Sequence, residues 1–173
     1  MAEKSTTSIV LYGDIDSSDS ITWLEFYNYS LEFAESIGFT PNYLGISGES
    51  FKSGKISTIK RTQKRLLTSL EQNESISSIS IYSLPENFEV AAFDYNVYIC
   101  RTNRLQYPHI IITLQSEIFE KIDHKVLVDK LKQFIAFKSG QIFKLSNLES
   151  PQIYASKANS LETFKTLEVI SDF

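Results

Sequence analysis

Apolar and polar positions change period along this chain, and each change marks an element. Residues 8–12 (Ser-Ile-Val-Leu-Tyr) are β-rich and stop at Gly13, which predicts a buried first strand. Asp and Ser fill 14–20, a turn composition. The period then becomes helical. Leu24, Tyr27, Leu31 and Ala34 form the expected buried stripe, and Thr22 with Glu25 fits a capping box. Ile21 with Phe26 fits the hydrophobic staple around that box, and Gly38 is placed to end the helix. On this phase Glu25, Tyr29, Glu32 and Ser36 face outward.

A short strand over 43–46 follows Pro41, then a loop over 47–55 that carries Gly48 and Gly54. A second helix is expected over 57–73. Ile59, Gln63, Leu66, Leu67 and Leu70 share one face of it, and Lys60, Arg61, Lys64 and Arg65 lie largely off that face. Alternation predicts strands over 78–84, 90–101 and 109–115. In the middle one, Phe93, Tyr95, Val97 and Ile99 point one way, and Asp94, Asn96, Tyr98 and Cys100 the other. The short linkers between them imply an antiparallel meander. Asp123 caps a third helix over 123–138 whose stripe is Leu127, Leu131, Phe134 and Ile135, with Gly140 closing it. A last strand over 141–145 precedes a tail. There, Ile153–Ala155 reads as a strand, and Leu161, Phe164 and Leu167 as a short helix.

The order β-α-β-α-β-β-β-α-β implies an α+β fold, with a mixed, mostly antiparallel sheet under packed helices. At 173 residues one domain is expected, with 1–7 flexible and 146–173 an extension packed on it. Hydrophobic residues at 42% against 22% charged fit a globular chain.

Charge adds what periodicity does not show. Residues 5–51 hold Asp14, Asp16, Asp19, Glu25, Glu32, Glu35 and Glu49 and no Lys or Arg. Residues 52–65 reverse the sign with Lys52, Lys55, Lys60, Arg61, Lys64 and Arg65 and no acid. Residues 66–100 return to acids alone. A net charge of -4 is therefore sorted into blocks, which points to recognition surfaces of opposite sign. The acidic turn Asp14, Asp16, Asp19 and the helix face Glu25, Tyr29, Glu32 form the first candidate partner-binding surface. Asp94 and Tyr98, with Asn96, form the second. A tyrosine among acids supplies contact area at low entropic cost. Solvation alone is the ordinary reason for such a face and stands as its competitor.

Catalytic and cofactor patterns fail on spacing. The two His and one Cys do not fall at metal-ligand spacing, and Asp14, Asp16 and Asp19 lack the Gly and distant Glu of an EF-hand loop. Gly45-Ile46-Ser47-Gly48-Glu49 misses the last Gly of a nucleophile elbow. Ser57-Thr58-Ile59-Lys60 matches S-x-x-K without its supporting elements. Gly48 and Gly54-Lys55 are one residue out of phosphate-loop register, and Ile56 replaces the Ser/Thr, which leaves only a weak anion site there. His109, His124 and Cys100 have no partner at fixed spacing and read as structural. No cofactor, no metal and no catalytic residue is expected. With a pI near 5.3, nucleic acid is not an expected partner. No run of about 18 apolar residues predicts a membrane span. The polar start and the single Cys100 give the cytoplasm as the expected location.

Three strings carry a resemblance: Tyr43-Leu44-Gly45-Ile46 before a basic helix, Ser80-Ile81-Tyr82-Ser83-Leu84-Pro85, and Ile110-Ile111-Ile112-Thr113-Leu114. With the element order over 8–145, the chain resembles the small cytoplasmic immunity proteins that accompany bacterial polymorphic and secretion-delivered toxins. The resemblance implies a non-enzymatic inhibitor that occludes its cognate toxin; the polar start then points to a toxin acting in the cytoplasm, and the acidic block to a basic surface on it. It assigns no functional residue. Two other readings fit the same elements: a small α+β enzyme of acyl transferase or hydrolase type, and an adaptor or chaperone subunit.

Overall fold

The computed structural model describes residues 2–157 and 164–173. The chain runs β1 (Ser5–Asp14), α1 (Ser20–Ser36), β2 (Tyr43–Gly48), β3 (Ile56–Thr58), α2 (Ile59–Glu71), β4 (Ile76–Ser83), α3 (Ala91–Asp94), β5 (Val97–Thr102), β6 (His109–Gln115), α4 (Ser116–Phe119), α5 (His124–Leu131), β7 (Ala136–Ser146), α6 (Pro151–Ala155) and β8 (Glu168–Asp172). Among the described residues the strands form one eight-stranded sheet in the order β3-β2-β4-β5-β6-β1-β7-β8.

The α+β class and the helices laid on a sheet are as the sequence implies. Each pairing among the described residues is antiparallel. The crossover through α1 does join two like-directed strands. However, β1 and β2 are separated by β6, β5 and β4, so no parallel ladder arises from it. The meander β4-β5-β6 is present as expected.

Alternation sends side chains to both faces of the sheet, and both faces are buried. Ile9, Leu11, Leu44, Ile81, Ile99 and Ile112 meet α1, α2 and α5 on one side. Val10, Tyr82, Tyr98, Cys100, Ile111 and Phe143 meet Tyr154, Ala155 and Phe164 on the other. That second layer comes from the tail, whose β8 pairs with β7.

Several expected boundaries move. Ser5–Thr7, expected to be flexible, open β1, with Thr6 and Thr7 buried. The strand expected over 90–101 begins only at Val97. Before it, Asp94 closes α3, and its carboxylate accepts from the backbone N–H of Glu89 (2.8 Å) and of Val90 (2.7 Å). Those two bonds curl a segment whose apolar alternation mimics a strand. The third helix stops at Leu131, and Phe134 and Ile135 reach the core from a 3₁₀ turn and an extended residue. β7 begins at Ala136, and Gly140 lies within it rather than ending a helix. Ile153–Ala155 lies in α6. Of the expected tail helix, Leu161 falls outside the described residues, and Phe164 is buried in the second layer.

Gly13 fixes where the first strand gives way to the acidic turn. A β-bulge falls between Tyr12 and Gly13 in the β1–β7 ladder. A Cβ at Gly13 would lie 2.1 Å from the Ala136 carbonyl oxygen, so the strands approach this closely only because the side chain is absent. The ladder resumes past the bulge with Gly13 opposite Phe137 and Asp14 opposite Ala136, and the strand ends there, at the first residue of the acidic turn.

Candidate functional site

The acidic turn is built from short local bonds. Asp14 ion-pairs with Lys138 of β7 at 3.2 Å, with both side chains largely in solvent. An exposed pair of this kind contributes about 0–1 kcal/mol. Asp16 accepts from the Ser18 hydroxyl (2.7 Å) and backbone N–H (2.9 Å), and these two bonds hold its carboxyl below the usual range. Asp19 is the N-cap of α1. It accepts from the Thr22 backbone N–H at 3.2 Å and from the Thr22 hydroxyl at 2.7 Å. Thr22 therefore sits inside the helix, and the expected capping box at Thr22–Glu25 is replaced by an Asp cap.

Behind the turn lies a cation outside the expected site residues. Arg101 ends the inward-facing row Val97, Ile99, Arg101 of β5 and is 2 % exposed. Its guanidinium lies 4.1 Å from the centroid of Trp23, and Nε–H donates to the Phe134 carbonyl at 2.9 Å. Trp23 in turn donates Nε1–H to the Asp16 carbonyl at 3.0 Å. Burial lowers the Arg101 pKa to about 10, while Asp19 and then Asp16 act in the opposite direction. The outward acids thus rest on a buried Trp–Arg stack. One arginine closing an otherwise apolar strand row is the sequence signal for it.

Along α1, Trp23, Phe26, Tyr27, Ser30 and Ala34 turn inward. Leu24 and Leu31, expected in that stripe, are only half-buried. Glu25, Asn28, Glu32 and Glu35 form the exposed row. Asn28 and Glu35 are additions to the expected site residues, because a stripe phased on Leu24 sits one position off Trp23. Tyr29 does not stand in the middle of this row. It is half-buried, stacked on Phe33 with centroids 6.3 Å apart and 5.8 Å from Phe134, and Lys130 lies 5.6 Å from its centroid. Tyr29 therefore links the acidic row to Lys130 of α5.

The second candidate surface is interior. Asp94 is buried, its carboxyl held low by the Val90 and Glu89 backbone N–H groups. Tyr98 is 6 % exposed, packed against Tyr82 and Tyr95, and burial drives its phenol pKa well up. Tyr98 lies under the second layer, whose contacts are too distant in sequence to be read from strand alternation, and Asp94 is turned in on its own segment by the Glu89 and Val90 bonds.

Possible nucleophiles are no better placed. Burial raises the Cys100 thiol pKa, with Ser80, Tyr98 and Ser78 opposing through hydrogen bonds. A reactive thiol needs the reverse shift. His109 is buried, with Nδ1 2.8 Å from the Tyr107 carbonyl oxygen, and its pKa is lowered by burial. Among the described residues no group of three His, Cys, Asp or Glu could hold a metal ion, and no helix is long and apolar enough to cross a membrane.

No family model and no curated protein matches the chain. Among solved structures it is similar to Pseudomonas aeruginosa T6SS protein PA0821, at 12% identity and a TM-score of 0.54. The match covers 90% of this chain and 44% of that one, so the chain spans less than half the length of the protein it resembles. At this identity the likeness is one of fold.

Proposed function

We propose that this chain is a non-enzymatic binding protein whose acidic side meets a basic surface on a partner protein, in the manner of an immunity protein that neutralises a cognate bacterial toxin. The observation that carries the reading is the exposed row Glu25, Asn28, Glu32 and Glu35 on α1, preceded in the chain by the exposed acids Asp14, Asp16 and Asp19 of the turn that caps the same helix. Six carboxylates presented by one helix and one rigid turn, with Asn28 among them, give a partner a field of one sign, and such fields act chiefly on encounter rate and partner choice. Preorganisation supports it too. The turn is fixed by the Ser18 bonds, the Thr22 bonds and the Trp23 indole bond, so little order is lost on docking. The proposed setting is the cytoplasm, to which the free buried thiol of Cys100 is suited.

Charge reversal tests the placement. The partner is first identified by native co-purification, and association is followed by stopped flow. Glu25→Lys with Glu32→Lys is expected to slow association by about tenfold at low salt and to flatten its salt dependence, with a smaller change in dissociation. Unchanged association kinetics after reversal across the whole row would place the partner elsewhere. A partner with no toxic activity would move the chain to the adaptor reading.

A further inference from the structure

The basic block of the sequence folds into a cleft of about 200 Å³ that is lined by Lys52, Lys55, Arg61 and Arg65, with Ser53 and Thr62 among the polar groups. Three segments build it: the loop after β2, strand β3, and the first two turns of α2. The cations are brought there by structure. Phe51 is 7 % exposed and is anchored by reciprocal backbone bonds with Gly48. The Arg65 guanidinium lies over the Phe51 ring at 4.4 Å from its centroid. Arg61 precedes Arg65 by one helical turn, so both heads leave the same face of α2. Ser53 Oγ accepts from the Lys55 backbone N–H at 3.3 Å, which folds the loop so that Lys52 and Lys55 both line the cleft.

Among the described residues, no acid lines this space. The acid that does feel Arg65 is Glu74, whose carboxylate is already held by the Ser50 hydroxyl at 2.6 Å. Four like charges around one small concavity repel one another, and the repulsion is relieved by an anion placed between them. The volume lies below the range of about 300–1,000 Å³ usual for drug-sized ligands, so a small group fits and a whole dinucleotide does not. Two guanidinium forks, two ammonium groups and nearby hydroxyls suit tetrahedral oxyanions.

We infer that this cleft binds a phosphate-class anion, either a soluble diphosphate group or the phosphorylated head of a lipid. The site is separate from the acidic row of α1 and stands or falls independently of it.

The test uses the full chain in two arms. Calorimetric titration with inorganic pyrophosphate at low salt is expected to saturate in the micromolar to millimolar range, weakening as salt rises. Lys55→Gln with Arg61→Gln is expected to reduce that affinity by about tenfold or more. The exposed pair Lys121→Gln with Lys125→Gln is expected to leave it unchanged. Circular dichroism and thermal unfolding without ligand are expected to match the parent for both variants. In the second arm, sedimentation with phosphatidylserine or phosphoinositide vesicles identifies the lipid source when pyrophosphate does not saturate. Either arm, when lost in the cleft variant and kept in the control, supports the site. No saturation by pyrophosphate together with no vesicle binding overturns it, as does equal loss in both variants. Binding to a single-stranded oligonucleotide that grows with length, and that pyrophosphate does not displace, also overturns it in favour of a nucleic-acid track.

Discussion

Arg101 and Trp23 show how much of the acidic surface is decided by what lies beneath it. Trp23 is fully buried and carries both the π-face under Arg101 and the hydrogen bond that pins the Asp16 carbonyl. Trp23→Ala is expected to lower stability by about 3–5 kcal/mol in urea unfolding, through lost burial and the cavity left behind. Arg101→Met is expected to change it by no more than about 1 kcal/mol. The lost bond to the Phe134 carbonyl and the lost ring contact are offset by removing a guanidinium that burial disfavours. Equal losses in the two variants would mean that the cation matters to the fold as much as the indole. At this scale the acids Asp14, Asp16, Asp19, Glu25 and Glu32 were legible in the sequence, since charge and exposure go together for short acidic side chains. Asp94 was not, because two backbone N–H groups satisfy it inside the fold.

Among the elements, those with a long uninterrupted period were the readable ones. Strands β4 and β6 and helices α1 and α2 appear where alternation or helical spacing puts them, to within a few residues. Errors gathered where one period ran on across a change of structure. Phe93 and Tyr95 continue the alternation of Val97 and Ile99, yet the first of them belongs to α3 and the second links it to β5. Phe134 and Ile135 continue the spacing of Leu127 and Leu131 after the helix has ended. In both places a buried apolar residue is required whichever backbone supplies it, so the pattern does not identify the backbone. The bulge at Gly13 gives a test at this scale. Gly13→Ala puts a methyl against the Ala136 carbonyl, where backbone and not a pliable side chain must move. The expected loss is about 1–3 kcal/mol in urea unfolding, accompanied by faster amide exchange at the start of β7. Unchanged exchange there would mean that the ladder absorbs the methyl elsewhere.

The molecule as a whole carries its tyrosines mostly inside, and this sets its behaviour in alkali. Burial pushes Tyr27 and Tyr82 up to about 12, and Tyr98 well above its ordinary value. Tyr12, Tyr29, Tyr95 and Tyr154 are raised in the same direction, burial again the first cause. In the unfolded chain such phenols ionise near about pH 10. Above that pH the unfolded state sheds protons that the folded state keeps, so stability falls as pH rises toward 12. Arg101 works in the opposite sense over the same window, but it is one group against seven. Tyrosinate absorbance is therefore expected to rise in one cooperative step together with the change in emission of the single tryptophan. A gradual rise with unchanged emission would show that the phenols reach solvent without unfolding. The sheet that encloses them ends at β8, five exposed residues paired through one edge to the eleven-residue β7. Viewed as a growing assembly, β7 without β8 would be a long template open to any other strand. β8 occupies that template with five residues, Glu168 and Asp172 at its ends and Val169 and Ile170 exposed between them, so the open edge of the sheet is short and flanked by charge.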